Sequence, residues 1–156
     1  MKKFFVLVAL LCTLMISSTT MAANWVWIYS DDHFTIYVDN NSIRRDYNYS
    51  GYVFRAFVKQ IFSDAGRNKA IDNYRASDKP LPRGIYNLSH YVSLEYFKIS
   101  GGIKYWSSLD SVYYTHDGNT IPEMGYSFNS IQQWFIISPD TVGEAKFDAI
   151  SARVPN

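Results

Sequence analysis

Three histidines, His33, His90 and His116, and one cysteine, Cys12, are where chemistry would have to start in this 156-residue chain. The histidines fall in three separate segments, and none stands at the close spacing that a metal-binding pair on one strand or helix requires. His116 beside Asp117 invites an acid-base reading, but Asp117-Gly118 is also what a hairpin turn needs. Asp31-Asp32 is the one adjacent pair of acids and reads as a solvated turn, since a calcium loop needs more oxygen donors in register. Gly-x-Ser-x-Gly, glycine-rich phosphate loops and Cys-x-x-Cys are missing. The expectation is a protein that is not an enzyme, with no catalytic residue, no metal site and no cofactor.

The N-terminus supplies an address. Lys2 and Lys3 precede an uncharged apolar stretch from Phe4 to Ile16, and small polar residues then lead to Met21, Ala22 and Ala23. These are the three parts of a secretory signal, with cleavage expected after Ala22. The stretch is shorter than the roughly 20 residues a membrane-crossing helix needs, so no stable span is expected after cleavage. Cys12 lies within it, behind Leu11 rather than the small residue of a lipid-attachment site, and leaves with it. The exported chain, 23–156, then has neither thiol nor disulfide and is long enough for one domain with a real core. Losing Lys2 and Lys3 turns 15 basic against 14 acidic residues into 13 against 14, a net charge of −1. That balance argues against nucleic acid and anionic membrane surfaces as partners.

Aromatic residues make up 17% of the chain, and many alternate with polar ones, the period-2 signature of half-buried strands. Strands are predicted at 24–29, 34–39, 52–62, 90–99, 103–115 and 132–137. Trp25, Trp27 and Tyr29 are expected on one face of the first, with Val26 and Ile28 on the other. Ser100-Gly101-Gly102 predicts a tight hairpin between the two longest strands. Ser138-Pro139-Asp140 predicts a helix with serine as N-cap and proline in its first turn, and Val142, Ala145, Phe147, Ala149, Ile150 and Val154 form its apolar side. The fold class is therefore α+β: a single antiparallel sheet of about six strands with a C-terminal helix packed on one face.

Two features offer binding. Trp25, Trp27, Trp106 and Trp134 either present large amphipathic surfaces to a partner or fill the core between sheet and helix. The stretch 63–88 reads as a long loop with a short helix at 68–74, and such loops are often functional. It carries Arg67, Lys69, Arg75, Lys79 and Arg83 against Asp64, Asp72 and Asp78, a surplus of two positive charges that would suit an acidic partner. The triplets at Asn40, Asn48 and Asn87 match the glycosylation pattern and mark surface turns only.

Four segments together carry a family resemblance: Trp25 near the mature start, Phe34-Thr35-Ile36-Tyr37-Val38-Asp39-Asn40-Asn41-Ser42-Ile43-Arg44-Arg45, Ser93-Leu94-Glu95-Tyr96, and Gln133-Trp134 followed by Ser138-Pro139-Asp140-Thr141-Val142-Gly143-Glu144-Ala145. In that order the chain resembles the surface-adhesin protein E family. The resemblance implies an exported bacterial protein of the same α+β fold, in the periplasm or at the cell surface. It also implies binding of protein partners at the envelope or on host surfaces, a homodimer, and binding of haem, for which His33, His90 and His116 are the candidate ligands. Many relatives have a cysteine soon after the Glu-Tyr pair and another at the chain end. Here Phe97 and Lys98 occupy the first region and Val154-Pro155-Asn156 the second, so both halves of that implied disulfide are gone together. The motif positions Asp39, Ser42, Pro139 and Trp134 read as turn-forming or packing residues. The leading expectation is a non-enzymatic interaction module; a periplasmic structural or housekeeping protein, or a haem-binding protein, are the alternatives.

Overall fold

The structure, a computed structural model, describes residues 22–47, 52–127 and 133–155. Residues 1–21 of the expected secretory signal, Cys12 among them, the Asn48 triplet and Gln132 lie outside the described residues. Among those described, Trp25–Ser30 (β1), Phe34–Asp39 (β2), Arg44–Arg45 (β3), Tyr52–Phe62 (β4), Leu88–Ser100 (β5), Ile103–Thr115 (β6), Tyr126–Ser127 (β7) and Phe135–Ile136 (β8) form one antiparallel sheet. Two helices follow the numbering Asp64–Ala76 (α1) and Val142–Ser151 (α2). β2 and β3 share one edge of β4, and β7 and β8 share one edge of β6, so the sheet is six positions wide. The fold is α+β, with the C-terminal helix on one face as the sequence implies.

The sheet follows from local chemistry. Ser100 pairs with Ile103 across Gly101 and Gly102, whose φ of 57° and 78° give the doubly left-handed turn that matches strand twist. The corner between β2 and β4 is built by the motif residues. Asp39 Oδ1 accepts from the amides of Asn24 and Asn41, and Ser42 donates to the Asp39 carbonyl while accepting from the Phe57 amide. One face of β2, β4 and β5 sends Ile36, Val38, Phe54, Ala56, Val58 and Phe97 into a core closed by Phe147 and Ile150 of α2. Phe54, Phe97 and Phe147 form its centre, with ring centroids 5.2 to 6.0 Å apart.

Three local expectations need correction. A β-bulge between Trp27 and Tyr29 inserts one residue into β1, so Tyr29 packs on the core beside Val26 and Ile28 instead of sharing a face with Trp25 and Trp27. The stretch read as a loop with a short helix at 68–74 is α1 along half its length; its polar residues are the solvated side of a helix, and only Gly66 and Ile71 are buried. Helix α2 starts later than proposed. Its N-cap is Thr141, which accepts from the Glu144 amide at 3.3 Å, while its hydroxyl donates to the Ser138 carbonyl. Ser138 to Asp140 thus form a turn before the helix, with Asp140 at φ 57°, a conformation its short polar side chain tolerates.

Helix α1 is stitched to the β1–β2 turn at its first residues. The Ser63 hydroxyl donates to the carbonyls of Asp32 and His33 and accepts from the Gly66 amide at 3.0 Å. A Cβ on Gly66 would sit 2.0 Å from the His33 backbone oxygen. Gly66→Ala should therefore destabilise by about 1–3 kcal/mol, outweighing the gain of about 1 kcal/mol that alanine brings to a helix. Thermal denaturation checks this, and an unchanged or raised Tm would refute the close packing.

Candidate interaction face

Side chains alternate across a strand, so residues paired in register share a face. On the face opposite α2, one row runs across five strands: Trp27 pairs with Tyr37, Tyr37 with Lys59, Lys59 with Val92, and Val92 with Val112. Beside it lie the rows Phe57, Leu94, Asp110 and Ile61, His90, Tyr114. Both helices are on the other side. Phe147 and Ile150 of α2 belong to the core, and α1 borders Phe34 and Phe62, which share the core face with Ile36 and Val58.

An antiparallel sheet with one solvated face ordinarily turns polar residues outward. Here the outward set is aromatic and aliphatic. Trp27 is 58% exposed, Phe57 44%, Val112 41% and Ile61 37%, and Trp25, Tyr37, Val92 and Leu94 are half-buried among them. Lone apolar side chains on a surface are normal, but register makes these contiguous, which is the mark of a contact site. Cations punctuate the face. Lys59 Nζ lies 4.5 Å from the centre of the Trp25 ring and 5.7 Å from that of Tyr37, and Lys98 Nζ lies 4.1 Å from Trp134 and 5.2 Å from Tyr105. Lysines held over rings expose apolar stems beside the aromatic surface.

His90 borders this face, stacked on Tyr114 with centroids 4.8 Å apart. Burial, then the positive charge of Lys59, then His116, hold its pKa below the ordinary value. Between that lowered pKa and about 6.5, the unfolded chain binds the proton and the folded chain does not. Stability should consequently fall as pH drops through this window. His90→Phe keeps the stacked ring and should flatten the decline, read as Tm between pH 7 and 5. An unaltered decline would contradict the assignment.

The sequence-derived candidates scatter elsewhere. Arg67 pairs with Asp64 at 2.7 Å and approaches His116 at 3.4 Å; Arg75 pairs with Asp72 at 3.3 Å. Lys69 borders a groove with Asp31 and His33, about two residues or 200° around α1 from Arg67, and Lys79 and Arg83 are exposed beyond the helix. Arg67 and Lys69 thus point to different sides of α1, which itself lies off the open face. The three histidines lie in the β1–β2 turn, at the rim of the open face and in the turn after β6. Asp117 accepts from the Asn87 amide side chain at 2.6 Å, and Asp31 caps the backbone of His33 and Phe34. Among the described residues no three His, Cys, Asp or Glu side chains converge to hold a metal, and no helix is long and apolar enough to cross a membrane. Of the tryptophans, Trp106 packs on the core, whereas Trp27 is plainly outward.

Phe57, Ile61, Val92 and Val112 are not marked by motif or composition, though a signal exists in the sequence. β4 is apolar on both alternations, Phe54, Ala56 and Val58 on one and Val53, Phe57 and Ile61 on the other, which a strand solvated on one face does not need. No family model, curated protein or solved structure matches the chain, so the face is interpreted on its own chemistry.

Proposed function

We propose that the protein is an exported, non-enzymatic interaction module that docks a protein partner on the open face of its sheet. The observation that carries this is the contiguous row from Trp27 through Tyr37 and Lys59 to Val112, partly exposed and uncovered by either helix. Interface cores are enriched in aromatic residues, and their energy concentrates in a few large side chains of this kind. The partner this surface fits is a protein with an apolar patch, met at the cell envelope or on a host surface. The secretory signal read from residues 1–22 and the resemblance to the surface-adhesin protein E family support the same reading.

Two measurements test it. Protease treatment of intact cells, with fractionation, separates a surface adhesin from a periplasmic component. Purified protein from Ala23 onward should bind matrix proteins, epithelial cells or envelope extracts saturably and without turnover. Absence of saturable binding to all three would reject the interaction module.

A further inference from the structure

The helical face holds a second feature, independent of the open face. On this face lies a cleft of about 310 Å³ whose floor is formed by β5 and β6 and whose wall includes Gln133 and Phe135. Register sets its layout. At one end Tyr91 pairs with Tyr113, ring centroids 5.1 Å apart; at the other, Trp106 and Phe135 lie 5.5 Å apart. Between these aromatic pairs the floor rows are Ser93 with Ser111 and Glu95 with Ser108.

Charge narrows what would bind. The Glu95 side chain is 2% exposed, and its carboxylate accepts from Lys146 Nζ at 2.7 Å and from the Ser93 hydroxyl at 3.0 Å. Among the described residues the cleft's one carboxylate therefore already has its counterion, and an ionic ligand would find no unmatched partner there. The other oxygen-bearing side chains of the described lining are hydroxyls, each both donor and acceptor, and the equally neutral carboxamide of Gln133. Burial, then Glu95, pushes the Tyr91 phenol well above its ordinary pKa, and burial raises that of Tyr113, so both stay protonated. Tyr91 donates to Gln60 Oε1 at 3.2 Å, which leaves its oxygen as an acceptor. The volume is at the small end for ligand pockets, and aromatic walls around a few fixed polar groups are their usual lining.

We propose that this cleft binds a small neutral saccharide, its flat C–H faces against Trp106 and the tyrosines and its hydroxyls on Ser108 and Ser111. Binding goes without hydrolysis, because glycoside cleavage uses a pair of carboxyl groups and the described residues of the lining supply one, already paired with Lys146.

The test is a titration of the protein from Ala23 onward with lactose, maltose and N,N′-diacetylchitobiose, followed by amide and indole NMR shifts. Tetramethylammonium chloride and sodium acetate serve as charged probes. At least one disaccharide should saturate with Kd on the order of 1 mM, moving Trp106, Ser108 and Ser111. Ser111→Val, well suited to a strand, should weaken this by about tenfold, and Phe57→Ser on the open face should leave it unchanged. Failure of every saccharide, tighter binding of either charged probe, or full affinity in Ser111→Val would overturn the proposal.

Discussion

Replacing Lys146 by methionine should destabilise the protein by about 3–5 kcal/mol, the cost of leaving a buried charge without its partner. The pair is asymmetric: the side chain of Glu95 is 2% exposed and that of Lys146 10%. With Lys146 gone, the Glu95 carboxylate keeps, among the described residues, the Ser93 hydroxyl. Glu95→Gln should cost less, because an unpaired lysine can extend its long stem toward water whereas a glutamate in mid-strand cannot. The double variant Glu95→Gln, Lys146→Met should recover most of the loss, since removing both charges avoids the desolvation cost that the intact pair also bears. Chemical denaturation of the four proteins measures the coupling directly. Equal costs for the two single variants, or no recovery in the double, would show that the pair is not held as described.

Phe147→Ala should be of similar size, about 3–5 kcal/mol, from lost burial and the cavity left behind. Phe147 is 2% exposed and touches both Phe54 and Phe97, edge-on to each, so no neighbouring side chain can swing into the gap without breaking the stack. Its loss removes one of the main anchors of α2. Ile150 still lies in the core and Lys146 still pairs with Glu95, while the partly solvated ties of Lys104 to Glu144 and Asp148, both at 2.8 Å, contribute little. Against a total stability of about 5–15 kcal/mol, the Tm should fall by on the order of 10–20 °C. Phe147→Leu, which retains most of the volume, should lose far less. A fall of only a few degrees for alanine would mean that α2 is held mainly by other contacts.

The sheet was legible because its strands announce themselves by period. Phe34–Asp39, Tyr52–Phe62 and Ile103–Thr115 begin and end where alternation and turn residues place them. What was not legible came from one-residue events and tertiary partners. The bulge at Trp27/Tyr29 turns a side chain over without changing composition. The helix α1 hides behind polar residues because little of it is buried, and its start depends on Ser63 meeting carbonyls some thirty residues earlier. The open face was half legible: its tryptophans drew notice, but whether an apolar alternation faces helix or water depends on where both helices settle. The Glu95–Lys146 pair spans 51 residues and left no local trace.

If the open face is the proposed contact surface, removing its exposed apolar side chains removes binding. Saturable binding of the protein from Ala23 onward to matrix proteins, epithelial cells or envelope extracts, the proposed partners, would be measured beside the variant Phe57→Ser, Val112→Thr. Both substituted side chains are more than 40% exposed, so the Tm should change little. A loss of at least about tenfold in affinity at an unchanged fold is expected, and equal affinity for the two proteins would contradict docking on this face.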